Sequence, residues 1–238
     1  MKTTLRTSLF ILIFAIGSTL SALASGNETE TQTRNVSGFN AIDVSTGIDL
    51  YITMGSTEEV KIVADDEIID DIKTEVKNGT LHIYMKRNNW FNWRGNKTRK
   101  AYVTVKELVE LDASSGSDVE SENTLEGENL KISASSGSDI ELEVHYKNLS
   151  LDTSSGSDAE LKGKVKNLKL SASSGSDIDA SGLESVNCKA SASSGSDISL
   201  TVTEDLEADA SSGADITYHG NPKTRNIDES SGGDVRNR

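Results

Sequence analysis

The chain has 238 residues, 24 basic against 38 acidic side chains, a formal net charge of −14, 5% aromatic residues and one cysteine. An acidic balance of this size argues against nucleic acid and against anionic membranes as partners. The lone Cys188 excludes an internal disulfide framework, and its parity with Ala190 and Ala192 marks it as a small buried residue rather than a nucleophile.

Residues 1–24 carry Lys2 and Arg6, the apolar run Leu9 to Ile16, and then Ala22-Leu23-Ala24. This is the pattern of a secretory signal peptide, and the apolar run is too short for a membrane span. Removing the leader takes the net charge to about −16 and leaves about 214 residues, enough for one elongated domain. No further stretch has spanning length, so the mature chain is expected to be exported to the periplasm, the cell surface or the medium with no membrane span.

Residues 25–33 are polar, without apolar periodicity, and are expected to be a disordered lead-in. From Ile42 to Ile52 alternate residues are apolar, as in a strand with one buried face, and Ser45-Thr46-Gly47-Ile48-Asp49 lies inside them. Val60 to Val63 reads as a strand. Ile68, Ile69 and Ile72 suggest one or two turns of helix, and Asn78-Gly79 marks a turn before Leu81, Ile83 and Met85. Residues 88–99 break the pattern. They hold Trp90, Phe91, Trp93, Arg94, Lys97 and Arg99, and read as an inserted aromatic and basic loop.

After Ala101 to Val105 the chain becomes periodic. SSGSD begins at Ser114, Ser135, Ser154, Ser173 and Ser193, then recurs as SSGAD at Ser211 and SSGGD at Ser230. The spacings are 21, 19, 19, 20, 18 and 19 residues. A fixed period of this size predicts a single-domain all-β fold over residues 34–238, a right-handed parallel β-helix (β-solenoid) with coils of about 19 residues. The 69 residues from Ser45 to Ser114 are read as three coils plus a 12-residue insertion. Alternation through the phrase places Ser136, Ser155, Ser174 and Ser194 inward together with Ser138 and Ile140. It places Asp118, Asp139, Asp158, Asp177, Asp197, Asp215 and Asp234 outward in one ladder. Stacked carboxylates repel. A hard cation such as calcium would bridge Asp118, Asp139, Asp158, Asp177, Asp197 and Asp215, although the glycine-dense nonapeptide of calcium-binding β-rolls is absent.

Phe39-Asn40-Ala41-Ile42, Gly47-Ile48-Asp49-Leu50, Asn78-Gly79-Thr80-Leu81-His82-Ile83 and the serial SSGSD phrases together resemble the family of putative auto-transporter adhesin head GIN domains, over roughly residues 34–238. The resemblance implies a β-helix in a secreted or surface-exposed bacterial protein of unknown function, and no catalytic residues. Only four residues follow Asp234, too few for the translocating barrel that the family name suggests.

Three functions compete. The first is a non-catalytic binding or adhesion-type module, with a glycan, cell-wall polymer or surface protein as partner. Its candidate ligand-contacting residues are Trp90, Phe91, Trp93 and Arg94, whose alternative role is to cap the open end of the solenoid. The second is a polysaccharide-active enzyme, which needs a carboxylate pair or acid–base set in a cleft. His82, His145 and His219 fall in separate coils and no nucleophile–base pair is visible. The third is a structural rod, calcium-stabilised or presenting an ice- or mineral-binding face of Ser and Asp. No cofactor is otherwise implied.

Overall fold

The structure is a computed structural model that describes residues 28–86 and 97–238. The leader and the loop residues Trp90, Phe91, Trp93 and Arg94 lie outside the described residues. All strands belong to one hydrogen-bonded sheet of 17 strands wound into a solenoid.

In the regular part each coil has two walls. The first wall enters the phrase: β8 (Glu110–Ser114) and the second halves of β10 (Leu125–Ser135), β11 (Asp139–Ser154), β12 (Asp158–Ser173), β13 (Asp177–Ser193) and β14 (Asp197–Ser211). The second wall leaves it: β9 (Asp118–Ser121), the first halves of β11 to β14, and β15 (Asp215–His219). Neighbouring coils pair in parallel and place like residue on like residue, Ser135 on Ser154 and Asp139 on Asp158. The inward columns, such as Ile132, Leu151 and Leu170, and Ile140, Ala159 and Ile178, form one continuous buried core.

The phrase is a corner, and the alternation carried through it breaks there. Ser136 and Gly137 both have positive φ, 59° and 68°, and this repeats from Ser115-Gly116 to Ser231-Gly232. Two consecutive left-handed residues turn the chain at once. They carry Ser136, Ser155, Ser174 and Ser194 outward into solvent, not inward. The fourth residue is the buried one, since Ser117, Ser138, Ser157, Ser176 and Ser196 are all fully buried. Their hydroxyls hold the corner and tie adjacent coils. Ser157 Oγ accepts from the Ser154 N–H at 3.1 Å and donates to the Ala134 carbonyl of the preceding coil at 2.9 Å.

The opposite corner is a bend at asparagine. Asn148 Nδ2 donates to Asn129 Oδ1, Asn167 to Asn148 and Asn187 to Asn167, each at 2.8 Å. Because this bend keeps backbone pairing on both sides, β11 to β14 run unbroken for 15 to 17 residues.

The N-terminal end departs from the three-coil expectation. β2 (Ala41–Ser45) and β3 (Asp49–Met54), joined at Thr46-Gly47, stack directly on β8 and β9, with Ser45 opposite Ser114. On their other side lie β6 (Thr80–Met85) and β7 (Arg99–Val105). The 69 residues therefore span an excursion outward and back, not three successive coils. β5 (Ile72–Lys77) then pairs antiparallel with β6, and β4 (Glu59–Asp65) antiparallel with β7. Ile69–Asp71 is a single 3-10 turn.

The polar lead-in is not disordered over its whole length. Thr29–Arg34 forms β1, antiparallel to β4. An edge offers unpaired backbone groups, so a strand can add there without apolar periodicity of its own. Arg34 fastens it by donating to the carbonyl of Ile69 at 3.0 Å. Arg99 opens β7 rather than closing the loop.

At the other end β16 (Thr224–Ser230) and β17 (Asp234–Asn237) complete the last coil. Its inward columns turn polar, with Arg225 below Leu206 and Glu229 below Ala210. Arg225 donates to the Tyr218 hydroxyl at 3.2 Å, and Glu229 accepts from the Val235 N–H at 2.7 Å. Inward charge at a solenoid end discourages further stacking.

Candidate functional site: the second wall and its N-terminal end

Along the second wall the parallel register turns single residues into columns. One reads Lys100, Asp49, then Asp118, Asp139, Asp158, Asp177, Asp197, Asp215 and Asp234. The next reads Lys61, Tyr102, Tyr51, Glu120, Glu141, Glu160 and Asp179. The aspartates of the phrase thus face outward, as alternation predicts. Between the columns runs an open groove of about 580 Å³, bordered by Asp49, Tyr51, Asp118, Glu120, Asp139 and Glu141.

The carboxylates do not all sit freely. Burial pushes the Asp118 carboxyl above its ordinary range, and the neighbouring Asp139 and Asp49 add to the shift. Burial also raises Asp49, against the opposing pull of Lys100 and Arg99. Further along, the side chains accept from the backbone of the next coil: the Asp177 N–H donates to Asp158 Oδ1 at 3.3 Å and the Asp197 N–H to Asp177 Oδ1 at 3.1 Å. Lys162 bridges Glu141 and Glu160 at 3.2 and 2.7 Å. Among the described residues no group of three or more His, Cys, Asp or Glu side chains converges as a metal ion would require.

The N-terminal end of this wall is chemically different. Tyr51 and Tyr102 stack with ring centroids 4.9 Å apart and planes 16° from parallel. Lys61 lies over the Tyr102 ring at 4.9 Å and Lys100 over Tyr51 at 5.2 Å. Cation–ring attraction and stacking fix all four side chains at a half-exposed surface. Sequence reasoning missed this cluster. Both tyrosines stand at outward strand parity, but 51 residues separate them, and only the β3–β7 register brings them together. The aromatic loop springs from the same place. In sequence it links β6 to β7, the strands that lie beside β2 and β3, which are themselves joined at Thr46-Gly47.

The other candidates separate. His82 Nδ1 lies 2.9 Å from Asp43 Oδ2 on the first wall, His145 is exposed on β11, and His219 ends β15. Cys188 is buried, and burial pushes its thiol up to about 12. The asparagine ladder was also missed, although its signal is plain afterwards: Asn129, Asn148, Asn167 and Asn187 recur at 19, 19 and 20 residues, each just before an inward apolar residue.

Solved structures share this architecture. The chain is similar to a putative adhesin from Bacteroides fragilis, with a TM-score of 0.82, 23% identity, and coverage of 90% of this chain and 98% of that one. It is similar to a putative lipid binding protein from Parabacteroides distasonis, with a TM-score of 0.70, 20% identity and coverage of 89% and 98%. A putative adhesin from Parabacteroides merdae follows at 0.66, 18% identity and coverage of 89% and 96%. At these identities the likeness is one of fold. No curated protein matches the sequence. No helix among the described residues is long and apolar enough to cross a membrane. The model of one family matches residues 38–222, most of the solenoid, and the chain belongs to that family, the putative auto-transporter adhesin, head GIN domain.

Proposed function

We propose that the chain is an exported, non-catalytic module of adhesion type. In this reading it engages a glycan, a cell-wall polymer or a surface protein through the N-terminal end of its second wall. The observation that carries the reading is the Tyr51–Tyr102 stack clamped by Lys61 and Lys100. Rigid aromatic side chains with polar tips are favoured at recognition surfaces because they contribute contact area at low entropic cost. The aromatic loop, with Trp90, Phe91, Trp93 and Arg94, belongs to the same surface in this reading, since it leads into the strand that carries Lys100 and Tyr102. The separation of His82, His145 and His219 supports binding over catalysis, because acid–base chemistry needs its groups within hydrogen-bond reach of one substrate.

The test is an array of glycans, cell-wall polymers and surface proteins probed with the mature chain. Two double variants accompany it, Trp90→Ala with Trp93→Ala and Tyr51→Ala with Tyr102→Ala. The expected result is selective capture by the wild type and loss of about tenfold or more in both doubles, with melting temperatures close to wild type. Capture that survives both doubles, or turnover of an arrayed glycan, would overturn the reading. A large drop in melting temperature for the tryptophan pair assigns the loop to capping instead.

A further inference from the structure

We infer that the asparagine corner is a second binding site, one for a linear acidic polysaccharide whose carboxylates pair with Lys164, Lys166 and Lys169.

Across the described residues most lysines are engaged. Lys131, Lys147 and Lys189 pair with Glu110, Glu128 and Glu207 at 2.7, 3.0 and 2.7 Å. Lys77, Lys97, Lys106, Lys162 and Lys223 hold other glutamates, Lys73 donates to the Asp70 carbonyl, and Lys61 and Lys100 lie on tyrosine rings. Among the described residues, Lys86, Lys164, Lys166 and Lys169 have no such partner. Three of these four stand on β12, all exposed, and they straddle the bend at Asn167. Unpaired cations concentrated on one strand of an otherwise acidic rod call for a reason beyond solubility, since carboxylates to neutralise them are abundant elsewhere.

The corner also has a shape. A furrow of about 610 Å³ runs beside it on the second-wall side, lined by His145, Tyr146, Lys147, Lys164, Lys166 and Val186 among others. Another of about 370 Å³ lies on the first-wall side and includes Lys131, Asn148, Ser150, Asn167 and Lys169. Gly127 at its edge leaves room for the buried Tyr146 ring. A Cβ would lie 2.6 Å from the Tyr146 ring. Val186, 37% exposed, adds an apolar step beside Lys166. The ladder uses one hydrogen of the Asn148, Asn167 and Asn187 amides, and an amide has two to give. The corner therefore offers cations, amide N–H groups and a hydroxyl in two furrows that a sugar chain can cross. A flat lipid surface would reach only the crest between them.

Glu126, Glu128 and Glu184 at the edge of the larger furrow limit how much charge it can take. The acidic columns lie on the second wall before the bend, and at physiological salt charges more than about 8 Å apart are largely screened. In the larger furrow Lys147, Lys164 and Lys166 match these three carboxylates, and the smaller furrow, with Lys131 and Lys169 and no acidic residue in its lining, carries the positive excess.

The experiment uses immobilised polygalacturonate, with neutral dextran and vesicles containing phosphatidylglycerol as comparison surfaces, and the mature chain in solution. Binding to polygalacturonate should weaken steadily as sodium chloride rises, with none to dextran. Lys164→Gln/Lys166→Gln/Lys169→Gln should lose about tenfold or more while melting as the wild type does. Lys77→Gln/Lys106→Gln/Lys223→Gln, an equal change of net charge elsewhere, should bind as the wild type does. Tyr51→Ala/Tyr102→Ala should also bind normally, so this site and the aromatic platform stand or fall separately. Absence of wild-type binding, equal loss in the two lysine triples, or binding to the vesicles alone would each overturn the inference.

Discussion

At the scale of single residues, the corner serine and the buried serine have opposite roles that their spacing in the phrase conceals. Ser174 sits at a φ of 60°, where a side chain other than Gly or Asn is disfavoured. Ser174→Gly should therefore stabilise by a few tenths of a kcal/mol to about 1 kcal/mol, read from the urea midpoint. Ser157→Ala should cost about 1–3 kcal/mol, because it strands a part-buried N–H and a buried carbonyl. Cys188 gives an independent check on the core. With its thiol raised to about 12 by burial, it should not react with a thiol reagent at pH 8 until denaturant unfolds the chain.

At the scale of the element, one glycine decides whether β12 can stack. Gly163 has a φ of 114°, and a Cβ there would lie 2.1 Å from the Val144 carbonyl oxygen of the coil before. Backbone cannot move aside as a flexible side chain can. Gly163→Ala should therefore lower stability by several kcal/mol or abolish folding, measured by circular dichroism and denaturant titration. Ile140 makes the matching case for the core, since it is 2% exposed between Val119 and Ala159 in its column. Ile140→Asp should cost several kcal/mol by burying an unpaired carboxylate.

At the scale of the whole molecule the acidic surface is a liability that pH can relieve. Asp49, Asp112 and Asp118 have carboxyls raised by burial above their ordinary values, with like charges adding at Asp112 and Asp118. A carboxyl with a raised folded-state pKa destabilises the fold once it ionises. That penalty is present above the folded pKa and disappears as pH falls to the unfolded value near 4. Glu58 and Glu75 are held below their ordinary range by hydrogen bonds, so their contribution has the opposite sign. A single-site comparison separates the two. Asp118→Asn should raise the melting temperature at pH 7, and the gain should shrink as pH falls and be lost below the unfolded carboxyl value near 4. A gain undiminished well below pH 4 would mean the effect is not electrostatic.

The sequence by itself determined the coil. A 19-residue period, strict alternation on either side of the phrase and glycine at a fixed place in it dictate parallel coils, a buried apolar column and an outward aspartate column. Each of these follows from interactions within one coil or with an identical neighbour. Tertiary structure decided what depends on which edges meet. Ser45 and Ser114 become neighbours because a solenoid edge pairs with whatever strand is adjacent in space, and β6 and β7 can occupy the far edge of β2 and β3 as readily as the next coil in sequence. The same freedom let the polar β1 add to β4 and set Tyr51 on Tyr102. Ser136 belongs to this second group as well, since alternation predicts its side for a straight strand but not for two consecutive left-handed residues.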